Sequence, residues 1–188
     1  MAIEEMKVQD AFRIIPSSLP DNRGYFFEAW RSSELTAASG QTFTVKQVNY
    51  SVSRRNTLRG IHGTTLPPGQ AKLVTCVRGA ALDVVVDLRV GSPTFGMFDI
   101  GVYLADGLGH AFLALTDDTC MNYLCSEEYV PGTMVDIQAL DPEIGIDWNT
   151  REPFIRSQKD TDAPTLAEAV RQGLLPTYEQ AKASYRTP

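Results

Sequence analysis

Residues 58–89 read LRGIHGTTLPPGQAKLVTCVRGAALDVVVDLR, and this stretch decides the predicted fold. Its short Val-rich runs, separated by Pro67-Pro68-Gly69 and by Arg78-Gly79, are typical of consecutive β-strands. His62, one of two histidines among the 188 residues, lies close in sequence to Arg59 and Lys72. A titratable group flanked by two cations suits a site for an anionic substrate.

The same pattern of short strands continues on both sides of this stretch. Segments rich in β-branched or aromatic residues, bounded by Gly, Pro or Asp turns, recur at 12–16, 25–30, 45–53, 95–104, 111–115, 119–126, 135–140 and 144–148. So many short strands predict an all-β fold, an antiparallel barrel or jelly roll over roughly residues 10–150. A brief helix is expected at 33–38.

The C-terminal segment differs from the rest of the chain. Residues 163–171 have a helical pattern, with Thr165 as a possible cap and Gly173 as a stop, and a second short helix is expected at 177–184. We therefore predict a helical tail over about 163–185, packed outside the strands. Since no linker divides the chain, we expect one domain over residues 1–188.

Composition excludes several classes of protein. A net charge of −6 argues against a nucleic-acid partner, but a few local cations can still hold a small anion. No apolar run approaches the length of a membrane span, and the N-terminus lacks a signal-peptide pattern. The three cysteines, an odd number with no CxxC pair, indicate buried thiols in a reducing compartment. We expect a cytoplasmic protein.

Two observations leave alternatives open at this point. In residues 45–53, the polar side chains of Gln47, Asn49, Ser51 and Ser53 share one face of a strand, and that face either meets solvent or lines a polar pocket inside a closed barrel. His62 is either a structural residue or a base. An acid such as Asp160, bonded to one ring nitrogen, would hold the imidazole as a proton acceptor.

Eight short motifs, in order along the chain, share one resemblance. They are DNRGYFFE at 21–28, QVN at 47–49, LRGIH at 58–62, QAK at 70–72, DVVVDLR at 83–89, GSPTFG at 91–96, GHAF at 109–112 and SQKD at 157–160. The set resembles the dTDP-4-dehydrorhamnose 3,5-epimerases and related deoxysugar epimerases. That resemblance implies a cupin-like jelly roll and a homodimer in which the N-terminal strands cross to the partner.

The resemblance implies an isomerase that needs no cofactor. It would act on a dTDP-linked 4-keto-6-deoxyhexose and invert C3, C5 or both. The implied catalytic residues are His62 as the base, Asp160 as its partner, Tyr123 as the acid on the opposite face, and Lys72 at the enolate oxygen. The implied binding residues are Arg23 and Arg59 for the diphosphate, Phe26, Glu28, Gln47 and Asn49 for nucleotide and pocket contacts, and Tyr129 as a second site tyrosine.

Three departures from the family pattern leave the substrate open. Gly63 stands where the family usually has an aromatic residue and is expected to enlarge the pocket. Met134 replaces an acid that the family often has, and the segment between Phe95 and His110 is expected to be about one hairpin shorter. A mono-epimerase for a modified deoxysugar of secondary metabolism, or a sugar-nucleotide binding protein without catalysis, are therefore alternatives. With two histidines and no HxH spacing, no metal site is expected.

Overall fold

The computed structural model describes residues 1–101 and 103–185. Its strands are β1 (Ala2–Glu5), β2 (Ala11–Ile15), β3 (Leu19–Asp21), β4 (Gly24–Phe26), β5 (Gln47–Ser53), β6 (Leu58–Thr64), β7 (Lys72–Arg78), β8 (Ala81–Asp87), β9 (Phe98–Ile100), β10 (Tyr103–Leu104), β11 (Leu108–Ala114), β12 (Thr119–Cys125) and β13 (Met134–Asp136). Its helices are α1 (Ser32–Ser39), α2 (Gln158–Thr161), α3 (Leu166–Arg171) and α4 (Tyr178–Ser184). The predicted strand pair at 95–104 corresponds to β9 and β10, although Val102 lies outside the described residues.

Two antiparallel sheets face each other. One has the strand order β1-β2-β10-β7-β12-β5, and the other has the order β13-β6-β11-β8-β9. Apart from β1–β2 and β8–β9, neighbouring strands within each sheet are not consecutive in sequence, as in a jelly roll, where successive strands alternate between two sheets. The β3–β4 hairpin forms a small sheet of its own. The predicted all-β, cupin-like jelly roll is confirmed.

Apolar residues pack on both sides of the five-stranded sheet. Val85 and Phe112 from this sheet meet Val74 and Met121 from the six-stranded sheet, and this cluster fills the space between the sheets. Strand β11 is buried at all seven positions because its opposite face is covered too. A strand buried on both faces has a continuous apolar run rather than an alternating one.

Helix α3 and the segment after it cover part of the outer face of the five-stranded sheet. Leu166 and Ala169 of α3 pack in the same cluster as Ile61 and Val84. The Thr165 side chain accepts a hydrogen bond from the Glu168 backbone N–H, and Glu168 bonds back to Thr165, which completes a capping box. The helical tail outside the strands is thus confirmed, and no helix in the described ranges is long and apolar enough to cross a membrane.

The predicted strand at 144–148 is wrong. Ile144 and Trp148 are buried in the cluster beneath α3, and the Trp148 indole N–H donates to the Ala139 carbonyl at 3.0 Å. The apolar residues of this segment pack from a loop, because a short apolar run does not by itself distinguish a strand from other buried backbone. The aromatic strand predicted at 25–30 is shorter than expected, since β4 ends at Phe26.

Candidate active site

A cavity of about 420 Å³ opens between the two sheets at one end of the jelly roll. Seven of the predicted site residues line it: Gln47, Asn49, Arg59, His62, Lys72, Tyr123 and Tyr129. These residues come from β5, β6, β7, β12 and the loop after β12, so the fold brings together positions that are far apart in sequence. Asp160 lies behind His62, in a second cavity that shares Arg59 and His62 with the first.

The polar face of β5 points into the cavity. Gln47, Asn49 and Ser51 are lining residues, whereas Val48 and Val52 are exposed on the outside of the sheet. The Gln47 amide N–H donates to Asn49 Oδ1 at 2.9 Å, and the Tyr129 backbone N–H donates to Gln47 Oε1 at 2.7 Å. Of the two alternatives for this strand, the structure therefore supports the pocket lining.

His62 and Asp160 form a hydrogen-bonded pair at the cavity wall. His62 Nε2 lies 2.6 Å from Asp160 Oδ1. Burial alone would raise the pKa of Asp160, but hydrogen bonds from His62, from Ser157 and from the Gly60 backbone lower it below its ordinary value. Because an ionised carboxylate only accepts hydrogen bonds, Nε2 carries the proton of the neutral ring, and Nδ1 is left free to accept another.

Gly60 allows β6 to bring His62 to this position. Its φ of +106° is in the left-handed region, and a Cβ there would lie 2.5 Å from the His110 carbonyl oxygen. The β6–β11 register shifts between His110 and Phe112, next to this close approach. Glycine is thus required at position 60, two residues before His62.

A second carboxylate lies near the His62–Asp160 pair. Asp136 Oδ1 is 3.8 Å from His62 Nε2 and 2.9 Å from Lys159 Nζ. The Lys159 contact is an ion pair rather than a well-aligned hydrogen bond, and Asp136 Oδ1 has no hydrogen-bond partner among the described residues. The ammonium group of Lys159 pairs with one of the two carboxylates, and we assign no metal ion to this cluster.

Lys72 extends from β7 into the cavity. It is one of the residues that line the cavity, and its ammonium group has no hydrogen-bond or ion-pair partner among the described residues. Desolvation by the surrounding protein lowers the pKa of Lys72, while Cys125 and Asp136 raise it less strongly. An amine without a protein partner is available to a ligand in the cavity.

Tyr123 faces the cavity from β12, in the six-stranded sheet. Its hydroxyl lies 3.1 Å from Ser51 Oγ, and its ring contacts the His110 ring edge to face with centroids 5.7 Å apart. Burial raises the pKa of Tyr123 to about 12, despite the opposing effect of the Ser51 hydrogen bond. The phenol is therefore protonated at neutral pH and can donate a proton.

His110 and Asp83 form a second histidine–carboxylate pair at the floor of the cavity. His110 Nε2 hydrogen-bonds Asp83 Oδ1, and the His110 ring stacks on Phe112 with centroids 6.1 Å apart. His110 is the direct partner of His62 in the β6–β11 ladder. Of the two, only His110 lines the cavity; it is buried, and Asp83 supports it from β8.

Three of the predicted binding residues do not line the cavity of their own chain. Arg23 is 85% exposed and pairs with Asp21, Phe26 is 64% exposed, and Glu28 forms an ion pair with Arg31. Among the described residues, the β3–β4 hairpin forms no ladder with another strand, so it is not held against the cavity of its own chain. The role of Arg23, Phe26 and Glu28 in binding stays a prediction.

The expectation that Gly63 enlarges the pocket is wrong. Gly63 is buried and faces away from the cavity, and a Cβ there would lie 3.1 Å from Leu88 Cδ1. Successive residues of a strand point to opposite faces, so the residue after the cavity-facing His62 cannot enlarge the cavity. Met134, the other departure, does line it.

Sequence reasoning missed several residues of the site. Lys159 and Asp136 are the most important, followed by Gln70, Phe112 and Cys125 as lining residues. Lys159 could have been found, because it stands next to Asp160 in SQKD. Asp136 carries no local signal, since only the β13–β6 register places it opposite His62.

Comparisons with known proteins agree with this geometry. Residues 5–168 match the family model of dTDP-4-dehydrorhamnose 3,5-epimerase. The chain belongs to this epimerase family. A dTDP-4-dehydrorhamnose 3,5-epimerase of Mycolicibacterium smegmatis is 44% identical over 100% of this chain and 96% of its own length.

Solved structures of the epimerase family are similar throughout. The rmlC epimerase of Mycobacterium tuberculosis matches with a TM-score of 0.94 and 42% identity over 98% of each chain. A 3′-monoepimerase from Streptomyces bikiniensis, solved in complex with dTDP-quinovose, matches with a TM-score of 0.89 and 46% identity, over 95% of this chain and 94% of the other. The protein is therefore an isomerase, and epimerases with either regiochemistry are among its relatives.

Proposed function

We propose that this epimerase acts on a dTDP-linked 4-keto-6-deoxyhexose and inverts C3, C5 or both. The observation that carries the proposal is that His62 and Tyr123 line one cavity from opposite sheets. Inversion requires a base on one face of the sugar and an acid on the other, because return of the proton from the same face would restore the original configuration. A protein that only binds sugar nucleotides needs no such pair.

In this proposal, His62 removes the proton and Tyr123 returns one. His62 Nδ1 accepts the hydrogen from the carbon next to the 4-keto group, and the C–H electrons pass into the ketone to give an enolate. Asp160 stabilises the imidazolium through the 2.6 Å hydrogen bond. Tyr123, protonated because its pKa is about 12, then protonates the carbon from the opposite wall.

Lys72 is the residue that we assign to the developing oxyanion. A donor fixed at such an oxygen contributes about 3–4 kcal/mol of transition-state stabilisation. Burial lowers the pKa of Lys72, and negative charge on the enolate oxygen favours the ammonium form again. Because the ketone itself accepts the electrons, the reaction requires no cofactor.

The cations at the cavity mouth suit the diphosphate of the substrate. Arg59 and Lys159 line both the main cavity and the second cavity beside it. Gln47, Asn49 and Tyr129 are the cavity groups available to the nucleotide and the sugar. With a net charge of −6, the protein holds its anionic substrate through these local cations and not through a broad positive field.

We also propose a homodimer in which each β3–β4 hairpin reaches the cavity of the partner. The hairpin pairs with no other strand of the described chain, and it exposes a row of aromatic residues, Tyr25, Phe26 and Phe27. Exposed apolar surface of this kind is typical of an interface. Crossing to the partner would bring Arg23, Phe26 and Glu28 to a site that they do not reach in their own chain.

We also propose a reducing compartment such as the cytoplasm. The prediction of buried thiols is wrong for Cys76, which is exposed, but Cys76, Cys120 and Cys125 are all free, which supports this proposal.

The experiment that tests the reaction is incubation with dTDP-4-keto-6-deoxyglucose in deuterated water, with NMR to locate the label. Deuterium at C3, at C5 or at both, with inverted configuration, supports the proposal and identifies the regiochemistry. If neither carbon exchanges its hydrogen, the chain does not catalyse this reaction.

A further inference from the structure

The contact between Asp136 and Lys159 suggests a further role beside the base. Asp136 is the direct partner of His62 in the β13–β6 ladder, and its Oδ1 lies 3.8 Å from His62 Nε2. At this distance a carboxylate interacts strongly with an imidazolium but does not replace Asp160, which holds the hydrogen bond at 2.6 Å. Asp136 is therefore a second negative charge close to the base.

Lys159 masks this charge in the free protein. Its Nζ lies 2.9 Å from Asp136 Oδ1, and its side chain is 58% exposed. An exposed lysine on a flexible stem exchanges partners easily, because its ion pair with a carboxylate contributes little to stability. Asp136, in contrast, is only 18% exposed and is held in place by its strand.

Lys159 is also placed to meet the anionic part of a ligand. It lines the main cavity together with Arg59 and His62, and it lines the second cavity with the same two residues. A diphosphate between Arg59 and Lys159 carries more negative charge than the Asp136 carboxylate. It would thus compete for the ammonium group.

We propose that Lys159 couples substrate binding to the strength of the base. In the free enzyme Lys159 neutralises Asp136, and in the complex Lys159 turns to the diphosphate and leaves Asp136 unmasked beside His62. The unmasked carboxylate favours the imidazolium form and makes His62 a stronger proton acceptor when substrate is present. Asp136 is then a positioning residue that acts through His62, and this inference rests on the proposed roles of His62 and of the diphosphate.

The other charged groups around His62 do not give the same response. Asp160 on α2 is already bonded to His62, and His110 on β11 is hydrogen-bonded to Asp83. Arg59 on β6 and Lys72 on β7 face the cavity from fixed strands. Among the described residues that face His62, Lys159 is the one whose partner is a carboxylate next to the base.

The test is an NMR titration of the His62 ring in the free protein and with saturating dTDP. With two histidines in the chain, a His62→Asn spectrum assigns the signals. We expect dTDP to raise the titration midpoint of His62 in the wild type by about one pH unit or more. In Asp136→Asn, only the direct effect of the phosphates remains, so the rise should be smaller by about one pH unit.

The Lys159→Gln variant should change the His62 titration midpoint in the free protein. Without the ammonium group, Asp136 is unmasked already in the free protein, so the midpoint should start high and dTDP should raise it little. Lys7→Gln removes the same charge from the turn between β1 and β2 and should behave as the wild type. A merely structural role for either residue would reduce activity without moving the midpoint.

Two results would overturn the inference. One is an equal dTDP-induced rise in the wild type and in Asp136→Asn; the other is an unchanged midpoint in free Lys159→Gln. If either result is obtained while His62→Asn is inactive, the proposed coupling is refuted and the proposed function still stands. A fully active His62→Asn enzyme would instead refute the proposed function itself.

Discussion

Replacing Tyr123 by Phe separates proton removal from proton return. The change deletes the hydroxyl that we assign as the acid. The proposed base, His62 on the opposite sheet, and its partner Asp160 on α2 are untouched. The variant should still exchange the α-hydrogen of the substrate with solvent on the original face. It should form little inverted product, because no group on the far wall then delivers a proton.

The structure indicates the size of both effects. Loss of a general acid lowers the rate by about 10²–10⁴, which corresponds to about 2.7–5.5 kcal/mol in the barrier to inversion. The stability effect is smaller, since Tyr123 loses one hydrogen bond, to Ser51 at 3.1 Å. One such bond contributes about 1 kcal/mol, or about 2–4 °C in Tm for a chain of this size. The rate loss therefore cannot be a consequence of unfolding.

The assay follows deuterium uptake and inversion in the same NMR tube. His62→Asn is the matched control, and it should show neither exchange nor inversion because the proton acceptor is gone. Asp160→Asn should lie between that variant and the wild type, since it weakens the base without removing it. Inversion by Tyr123→Phe at nearly the wild-type rate would exclude Tyr123 as the acid and make Tyr129 the next candidate for that role.

Three further predictions concern binding, assembly and stability. Arg59→Ala should weaken dTDP binding by about 1.5–3 kcal/mol in calorimetry, the value of a charge-assisted contact, and unchanged affinity would refute its role. Arg23→Ala and His62→Asn should each lose activity alone, and mixing the two variant proteins should restore part of it. The reason is that a mixed dimer contains one site in which both Arg23 and His62 are intact. No recovery of activity after subunit exchange would contradict the crossed hairpin. Asp87→Asn should lower the urea-measured free energy of unfolding by about 3–5 kcal/mol at pH 7, because it leaves the buried Arg89 without its main partner. Burial alone would raise the pKa of Asp87, but Arg89 lowers it below its ordinary value. The stabilisation is therefore present above about pH 4 and disappears as the pH falls through the pKa of Asp87 in the folded protein. An unchanged free energy of unfolding in Asp87→Asn would argue against a stabilising Asp87–Arg89 pair.

Strand periodicity is the part of this fold that sequence predicts well. In β5, the alternation of Gln47, Asn49 and Ser51 with Val48 correctly predicts which residues share one face. The α3 helix shows the same agreement, because the Thr165 cap and the Gly173 stop are local signals. Such features depend on residues a few positions apart, where backbone geometry alone decides which side chains share a face.

The features that sequence did not predict depend on long-range register. Asp136 approaches His62 only because β13 pairs with β6 in one particular register. Gly63 was assigned to the wrong side of its strand, since its neighbour His62 takes the cavity side. The β3–β4 hairpin has no local signal for its position either, and only the family resemblance implied that it leaves its own chain. In each case the pairing of distant strands, which no local pattern encodes, determines what the residue touches.

The division of the site between two sheets explains why a jelly roll suits this reaction. The proposed base and both carboxylates belong to the five-stranded sheet and the α2 helix beside it, whereas Lys72 and Tyr123 belong to the six-stranded sheet. The apolar layer that includes Phe112 and Met121 fixes the separation of the two sheets. A flat sugar ring held between them has one face toward the base and the other toward the acid. Inversion then requires no movement of the two sheets, only a substrate whose carbonyl oxygen lies at Lys72.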